Sequence, residues 1–229
     1  MKNYAAEAGH WYKRDGSPAY TVIAKNGKER QTTLRDAREL NLLPSVTTIL
    51  KERYKAGLEF WKAKQVMMSA LTLPRLENES DEEFIDRILN DSREYTRRRA
   101  EEGERIHAYI QRGFEGLLQK DEIEALEYFE NAKGAIGIEA DWICEKTFAC
   151  YIDGYGYGGK VDLHAQEYLI DIKTRDGSID NLTLYDDHYM QLAAYRKGLG
   201  LSARCGILFV SMDIQAKLVW ADEKEIERG

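Results

Sequence analysis

The sequence predicts an α/β protein: a mixed β-sheet core flanked by helices, with an N-terminal helical layer and a small β-hairpin. Three observations lead there. Residues 34 to 133 are dominated by helix-like segments broken at Pro44 and Pro74. Beyond them the texture changes to short β-branched and aromatic runs separated by turn residues. The order in this second part is three strands, a helix and two strands, which calls for a mixed sheet.

The elements follow in order. Residues 10 to 33 alternate around Asp15-Gly16 and Asn26-Gly27, a hairpin or meander signature. LRDARELNLLP reads as a short helix stopped before Pro44. Ser45 is a candidate cap for a helix that starts with VTTIL and runs on through WKAKQVMMSALTL. Ser80 and Glu83 form a capping-box pattern opening residues 81 to 119, expected to be helical with one or two interruptions. A further helix is expected over 121 to 133. IEADWICEKTFACYID then reads as a strand, GYGYGG as a turn, and KVDLHAQ and YLIDIKT as strands folded together at Gln166-Glu167. Residues 185 to 198 return to helix, and ARCGILFVSMD and KLVWAD complete the sheet. Residues 1–80 form a basic N-terminal elaboration and residues 81–229 the core.

Composition narrows the function classes. With 229 residues, 43% hydrophobic and 32% charged, the chain is ordinary globular material. It has no apolar run of membrane-spanning length and no secretory leader pattern. Three cysteines without C-x-x-C spacing suit a reducing, cytoplasmic setting better than a disulfide framework or a zinc knuckle. The net charge of −7 conceals an asymmetry: residues 1 to 70 carry 13 Lys and Arg against 7 Asp and Glu. A basic lobe on an acidic body could hold a polyanion on one side and a divalent cation on the other.

One stretch, GYGYGGKVDL, imitates a phosphate loop, since Gly154, Gly159 and Lys160 have G-x-x-x-x-G-K spacing. Val161 stands where such a loop needs a hydroxyl, and strand-like residues follow where it needs a helix. A nucleotide-binding loop is excluded on both counts. The acids downstream are more informative. Asp171 and Lys173 are two apart in a strand, so they leave the same face about 6.6 Å apart along the backbone. The turn at Gln166-Glu167 folds Asp162 back beside Asp171. Two carboxylates on neighbouring strands can share magnesium or manganese, and a lysine beside them can orient water or stabilise charge on a phosphate. Gln191 and Tyr195, four apart, share a face of the following helix.

G-x-x-D (Gly159 to Asp162), D-x-K-T (Asp171 to Thr174), Q-x-x-x-Y (Gln191 to Tyr195) and an upstream G-x-x-x-H (Gly103 to His107) are all present. This series resembles the PD-(D/E)xK nuclease superfamily, in its RecB-like exonuclease branch. The resemblance implies a restriction-endonuclease-like core and a metal-dependent DNA exonuclease acting on single-stranded ends. It further implies magnesium or manganese held by His107, Asp162, Asp171 and the main-chain carbonyl of Ile172, with Lys173 positioning the attacking water. Gln191 and Tyr195 would support the site. Glu145 on the first core strand would add a carboxylate or pair with a helix arginine. Some relatives carry an iron–sulfur cluster on four cysteines, which three cysteines do not permit. The acid before Lys173 is Asp, and no Pro precedes Asp162, both of which vary within the superfamily.

DNA contacts are expected from Arg53, Tyr54, Lys55, Arg93 and Arg97, with Tyr54 or Tyr95 stacking on a base. Arg97, Arg98 and Arg99 are consecutive and fan around their helix. Ser45 and Thr47 would bond a phosphate or cap a helix, the cap being preferred for Ser45. Without a motor in the chain, unwinding would come from a helicase or other replication or recombination partner. A phage or bacterial origin suits such a nuclease. The competing readings are a structure-selective endonuclease with the same site, and a non-catalytic nucleic-acid-binding protein that keeps the fold.

Overall fold

A computed structural model describes residues 9–53 and 56–228. The chain divides into two compact units: Met1–Glu52 with His107–Gly229, and Arg53–Ile106.

The first unit opens with β1 (Trp11–Tyr12), β2 (Thr21–Ile23) and β3 (Glu29–Gln31), then α1 (Leu34–Glu39), β4 (Leu43–Pro44) and α2 (Val46–Lys51). β2 and β3 form the hairpin expected at Asn26-Gly27, while β1 pairs with β4. α1 starts in a capping box between Thr33 and Asp36. It ends at Glu39, earlier than Pro44 alone implies, because Asn41 adopts a left-handed conformation (φ 52°). Ser45 caps α2, its Oγ accepting the Thr48 N–H at 2.9 Å.

In the second unit, α3 (Ala56–Thr72) is separate from α2, not its continuation. α2 closes in a tighter i→i−3 bond from the Glu52 N–H to the Ile49 carbonyl at 3.2 Å. α4 (Asp81–Phe114) begins at the Ser80–Glu83 capping box. It is continuous where interruptions are expected. Pairs of Arg97 with Glu94 and Glu101, Arg98 with Glu94, and Arg99 with Glu102 lie at helical spacing along it. Arg87 ties down the preceding loop through Glu79 (2.6 Å) and the Pro74 carbonyl (2.7 Å).

The rest of the first unit supplies the last turns of α4, then α5 (Ile123–Ile136), β5 (Ile143–Ile152), β6 (Tyr155–His164), β7 (Tyr168–Arg175), α6 (Asp186–Leu199), β8 (Arg204–Ser211), β9 (Ala216–Trp220) and α7 (Glu223–Arg228). The sheet is mixed and ordered β5-β6-β7-β8-β9. Only β7–β8 is parallel, and α6 makes the crossover it needs. α6 packs over β5 to β8, and α5 lies against β8 and β9. The core joins Leu192 and Tyr195 of α6 to Phe148, Leu169, Ile207 and Phe209 of the sheet. Among the described residues no helix is long and apolar enough to cross a membrane.

The expected turn over GYGYGG is corrected. The turn is Asp153-Gly154, both at positive φ (49° and 85°), a two-residue connection between β5 and β6. Tyr155 to Gly159 already belong to β6, and the glycines there permit close approach. A Cβ on Gly158 would lie 2.5 Å from the ring of Tyr12.

A second close approach gives a stability prediction. A Cβ on Gly198 of α6 would meet the ring of Phe148 at 2.0 Å. Alanine normally gains up to about 1 kcal/mol over glycine in a helix. Here overpacking, about 1–3 kcal/mol, outweighs it, because Phe148 is buried edge-to-face against Tyr157 and Tyr195. Gly198→Ala is expected to lower the urea midpoint, and Phe148→Leu in the same chain to recover part of the loss. An unchanged or raised midpoint for the single variant would contradict this packing.

Candidate functional site

The site forms where β6 leaves β7. β6 pairs with β5 from Tyr155 to His164, skipping Asp162, but with β7 only at Leu163↔Ile170 and His164↔Leu169. β7 meanwhile pairs with β8 from Tyr168 to Arg175. Asp162 is the residue at which the β6–β7 ladder stops, and its Oδ2 accepts the Ile172 N–H at 2.7 Å. A side chain thus replaces a ladder bond, and the opened edge holds both acids.

Asp171 is 2% exposed, so its pair with Lys173 is not the surface ion pair common for Asp-x-Lys on a strand. Lys173 Nζ lies 2.7 Å from Asp171 Oδ2, and Gln191 Nε2 donates to Oδ1 at 2.7 Å and to the Tyr195 hydroxyl at 3.0 Å. The α6 pair expected from i,i+4 spacing therefore reaches the acid and orients it. Ile170 and Ile172, on either side of Asp171, are buried as well.

His107, on the part of α4 that belongs to this unit, brings Nδ1 to 3.8 Å from Asp162 Oδ2. Among the described residues no three His, Cys, Asp or Glu side chains form a closed metal-binding cluster. Gln191 donates to one oxygen of Asp171 and Lys173 faces the other.

The electrostatics follow from burial. Desolvation, followed by repulsion from Asp171, raises the Asp162 carboxyl to about 7, against the opposing pull of the Ile172 N–H, Lys173 and Lys160. Desolvation lowers His107 to about 4, so its imidazole is neutral at neutral pH. Burial by itself would lower Lys173, but the charge and hydrogen bond of Asp171 and the charge of Asp162 outweigh it and hold the ammonium above its ordinary value. Burial and the two carboxylates raise Tyr195 well above an ordinary phenol.

Glu145 does not find the helix arginine expected as one of its two roles. Its partner is Lys160 on the adjacent strand, not a helix arginine. It also stands at φ 55° within β5, opposite Asp162 in register, and the β5–β6 pairing skips it there. Left-handed backbone in a non-glycine residue mid-strand is costly and concentrates at functional sites. Lys160 lines the same cavity as Asp162, Asp171 and Lys173.

That cavity, about 190 Å³, has a second group of walls: Ser45 and Thr47, expected to bond a phosphate or cap a helix, and His10, Tyr12 and Tyr20, which the motifs did not reveal. Ser45 forms a bridge with Gly158, bringing the start of α2 onto β6. The only local signal was the run of glycines in β6, whose Cβ-free surface admits Tyr12. A larger cavity of about 590 Å³, lined by residues including Leu50, Tyr157, Met190 and Leu201, shares no residue with this site and contains no paired acids.

The expected DNA contacts fall in the second unit of the chain. Arg93 and Arg97 are on α4 in the second unit, and Arg97, Arg98 and Arg99 each lie beside a glutamate of that helix. Arg53 is exposed at the start of that unit. Tyr54 and Lys55 lie outside the described residues.

No protein-family model matches the chain, and no curated protein matches it. Among solved structures it is similar to a "Putative exonuclease" from Eubacterium rectale, at 15% identity and a TM-score of 0.36 over 56% of this chain and 61% of that one. It is also similar to SSO0001, at 19% identity and a TM-score of 0.32 over 75% of this chain and 81% of that one. The chain thus spans about three fifths of the length of the Eubacterium rectale protein. Both likenesses are distant.

Proposed function

We propose that the chain is a divalent-metal-dependent deoxyribonuclease of the PD-(D/E)xK type, in its RecB-like branch, hydrolysing phosphodiester bonds from single-stranded DNA ends. The observation that carries this reading is the opened strand edge. It places Asp162, Asp171 and Lys173 around one cavity, with Gln191 and Tyr195 bracing the buried acid.

The donor set fits a hard cation. Asp162 is protonated as easily as it is because it is buried and a second carboxylate faces it, and a divalent cation relieves that repulsion better than a proton does. Neutral His107 adds a nitrogen donor, which manganese accepts more readily than magnesium. Asp162, Asp171, His107 and the carbonyl of Ile172 would hold the ion, with water filling the remaining positions. When bound, the ion would supply charge neutralisation at the scissile phosphate.

The residues of the chain divide the remaining work. Lys173 stays protonated, so it donates hydrogen bonds to water or phosphate oxygen and stabilises negative charge; it does not withdraw a proton. Gln191 holds Asp171 in one orientation through Oδ1, leaving Oδ2 toward Lys173. Lys160, placed by Glu145, adds a second cation to the cavity for a neighbouring phosphate. Arg53, Tyr54, Lys55, Arg93 and Arg97 remain candidates for contacts to the strand.

The test is digestion of an end-labelled single-stranded oligonucleotide, and of a closed single-stranded circle, with magnesium, manganese or EDTA. Shortening of the linear strand with either metal, none in EDTA, and an intact circle are expected. A cut circle would move the assignment to an endonuclease. A strand bound but left intact with both metals would leave a nucleic-acid-binding protein.

A further inference from the structure

Hydrolysis of a phosphodiester needs carboxylates and cations. It does not need the aromatic side chains that share the cavity with them: His10, Tyr12 and Tyr20. Their arrangement is braced. Tyr12 is 2% exposed and lies against Gly158, two residues before Lys160 on β6. Its hydroxyl meets that of Tyr20 at 2.6 Å, and the two rings stand edge to face at 5.6 Å. The ring of His10 lies 4.8 Å from that of Tyr20, tilted by 32°. The main chain of His10 is held by α2: its carbonyl accepts the Ser45 N–H at 2.9 Å, and its N–H donates to Thr48 Oγ1 at 3.1 Å. Tyr20 is half-buried and His10 exposed, so the outer part of this group is accessible.

A fixed aromatic surface beside a phosphate-binding position matches the flat face of a nucleobase. The cavity, of about 190 Å³, is small, which suits one base better than a run of stacked bases. We propose that His10 and Tyr20, braced by Tyr12, form a stacking shelf for the base of the strand's terminal nucleotide. The shelf lies in the same cavity as the phosphodiester at Asp162, Asp171 and Lys173. The inference rests on the nuclease reading and adds to it where the terminal base sits. Tyr12 is a positioning residue, acting through the ring of Tyr20.

The test uses single-stranded oligonucleotides of one sequence, either unmodified or with an abasic residue at the 5′ or the 3′ terminus. The first cut is timed with manganese, and binding is followed by fluorescence anisotropy in EDTA. With wild type, the abasic residue at one of the two ends is expected to slow the first cut and weaken binding about tenfold, the size of one lost base stack. Tyr20→Ala should slow the unmodified strand to that same level and show no further loss on the abasic one. Tyr20→Phe, which keeps the ring, should restore the discrimination. His10→Ala, at an exposed position, should reduce it and serves as the second variant should Tyr20→Ala fold poorly. Equal wild-type rates on unmodified and abasic strands at both ends would overturn the shelf while leaving the nuclease assignment standing. No cleavage of any strand by wild type would overturn both.

Discussion

Lys173→Ala is expected to lower phosphodiester cleavage by about 10²–10³-fold, the usual loss when one preorganised charge-stabilising donor is removed from a site of this kind. Strand affinity in EDTA should change little by comparison. Lys173 is the cation in contact with Asp171, at 2.7 Å, and it stays protonated because the two acids hold its ammonium above the ordinary lysine value. On the proposed reading it would act as a fixed positive charge beside the phosphoryl oxygens on which negative charge develops. Lys160 cannot replace it, since Glu145 engages that side chain. Some loss of stability is expected as well, because Asp171 is left buried with Gln191 alone. Lys173 is itself about one third exposed, so the loss should stay below the about 3–5 kcal/mol of a fully buried broken pair. Single-turnover cleavage beside anisotropy separates the two effects. A variant that cleaves within threefold of wild type would remove Lys173 from the chemistry.

The second large effect is on stability. In EDTA, Asp162→Asn and His107→Gln are expected to bend the pH dependence of Tm in opposite directions. The folded-state value of Asp162 is raised from 3.8 to about 7 by burial and then by Asp171. Folding therefore favours its protonated form, and its contribution is fully present below about 3.8 and lost as pH rises through about 7. His107 is lowered by burial from 6.5 to about 4. Its contribution is present above about 6.5 and lost as pH falls through about 4.

Between about pH 4 and 6.5 the two slopes oppose, and in wild type they largely offset. Asp162→Asn leaves the histidine slope, so Tm should rise with pH across that window. His107→Gln leaves the aspartate slope, so Tm should fall with pH up to about 7. Across that window each pH step of one contributes about 1.4 kcal/mol per titrating group, and each kcal/mol moves Tm by about 2–4 °C in a chain of this size. Both slopes lie within reach of calorimetry. Carboxylates lowered elsewhere, such as Glu83 and Glu122, act alike in all three proteins and cancel in the differences. Parallel profiles for the two variants would mean that burial does not set the protonation of this pair.

The acid–lysine pair is legible in the sequence because strand periodicity is a local property. Residues two apart share a face, and Asp171 and Lys173 do meet. Gln191 and Tyr195 are legible for the same reason at helical spacing, as is the turn that brings β6 back to β7. The failures fall where one element meets a distant one. GYGYGG looks like a turn because glycine signals both turns and close approach, and only the side chains packed on it, Leu43 on Gly156, Tyr12 on Gly158 and Phe148 on Gly159, distinguish the two. A helix partner is expected for Glu145 because nothing local shows that its backbone turns left-handed and faces Lys160. The aromatic wall from residues 10 to 20 reaches β6 across more than a hundred residues of chain, a separation at which periodicity carries no information.

Side-chain periodicity, caps and turn chemistry thus suffice for the order of the elements, the mixed sheet and the candidate acids with their lysine, because each depends on neighbours a few residues away. The tertiary structure alone decides the charge state of those groups and the shape of the space between them. The raised carboxyl of Asp162 and the neutral imidazole of His107 are consequences of desolvation, and desolvation exists only once strands, helices and the N-terminal wall have closed around the same small space.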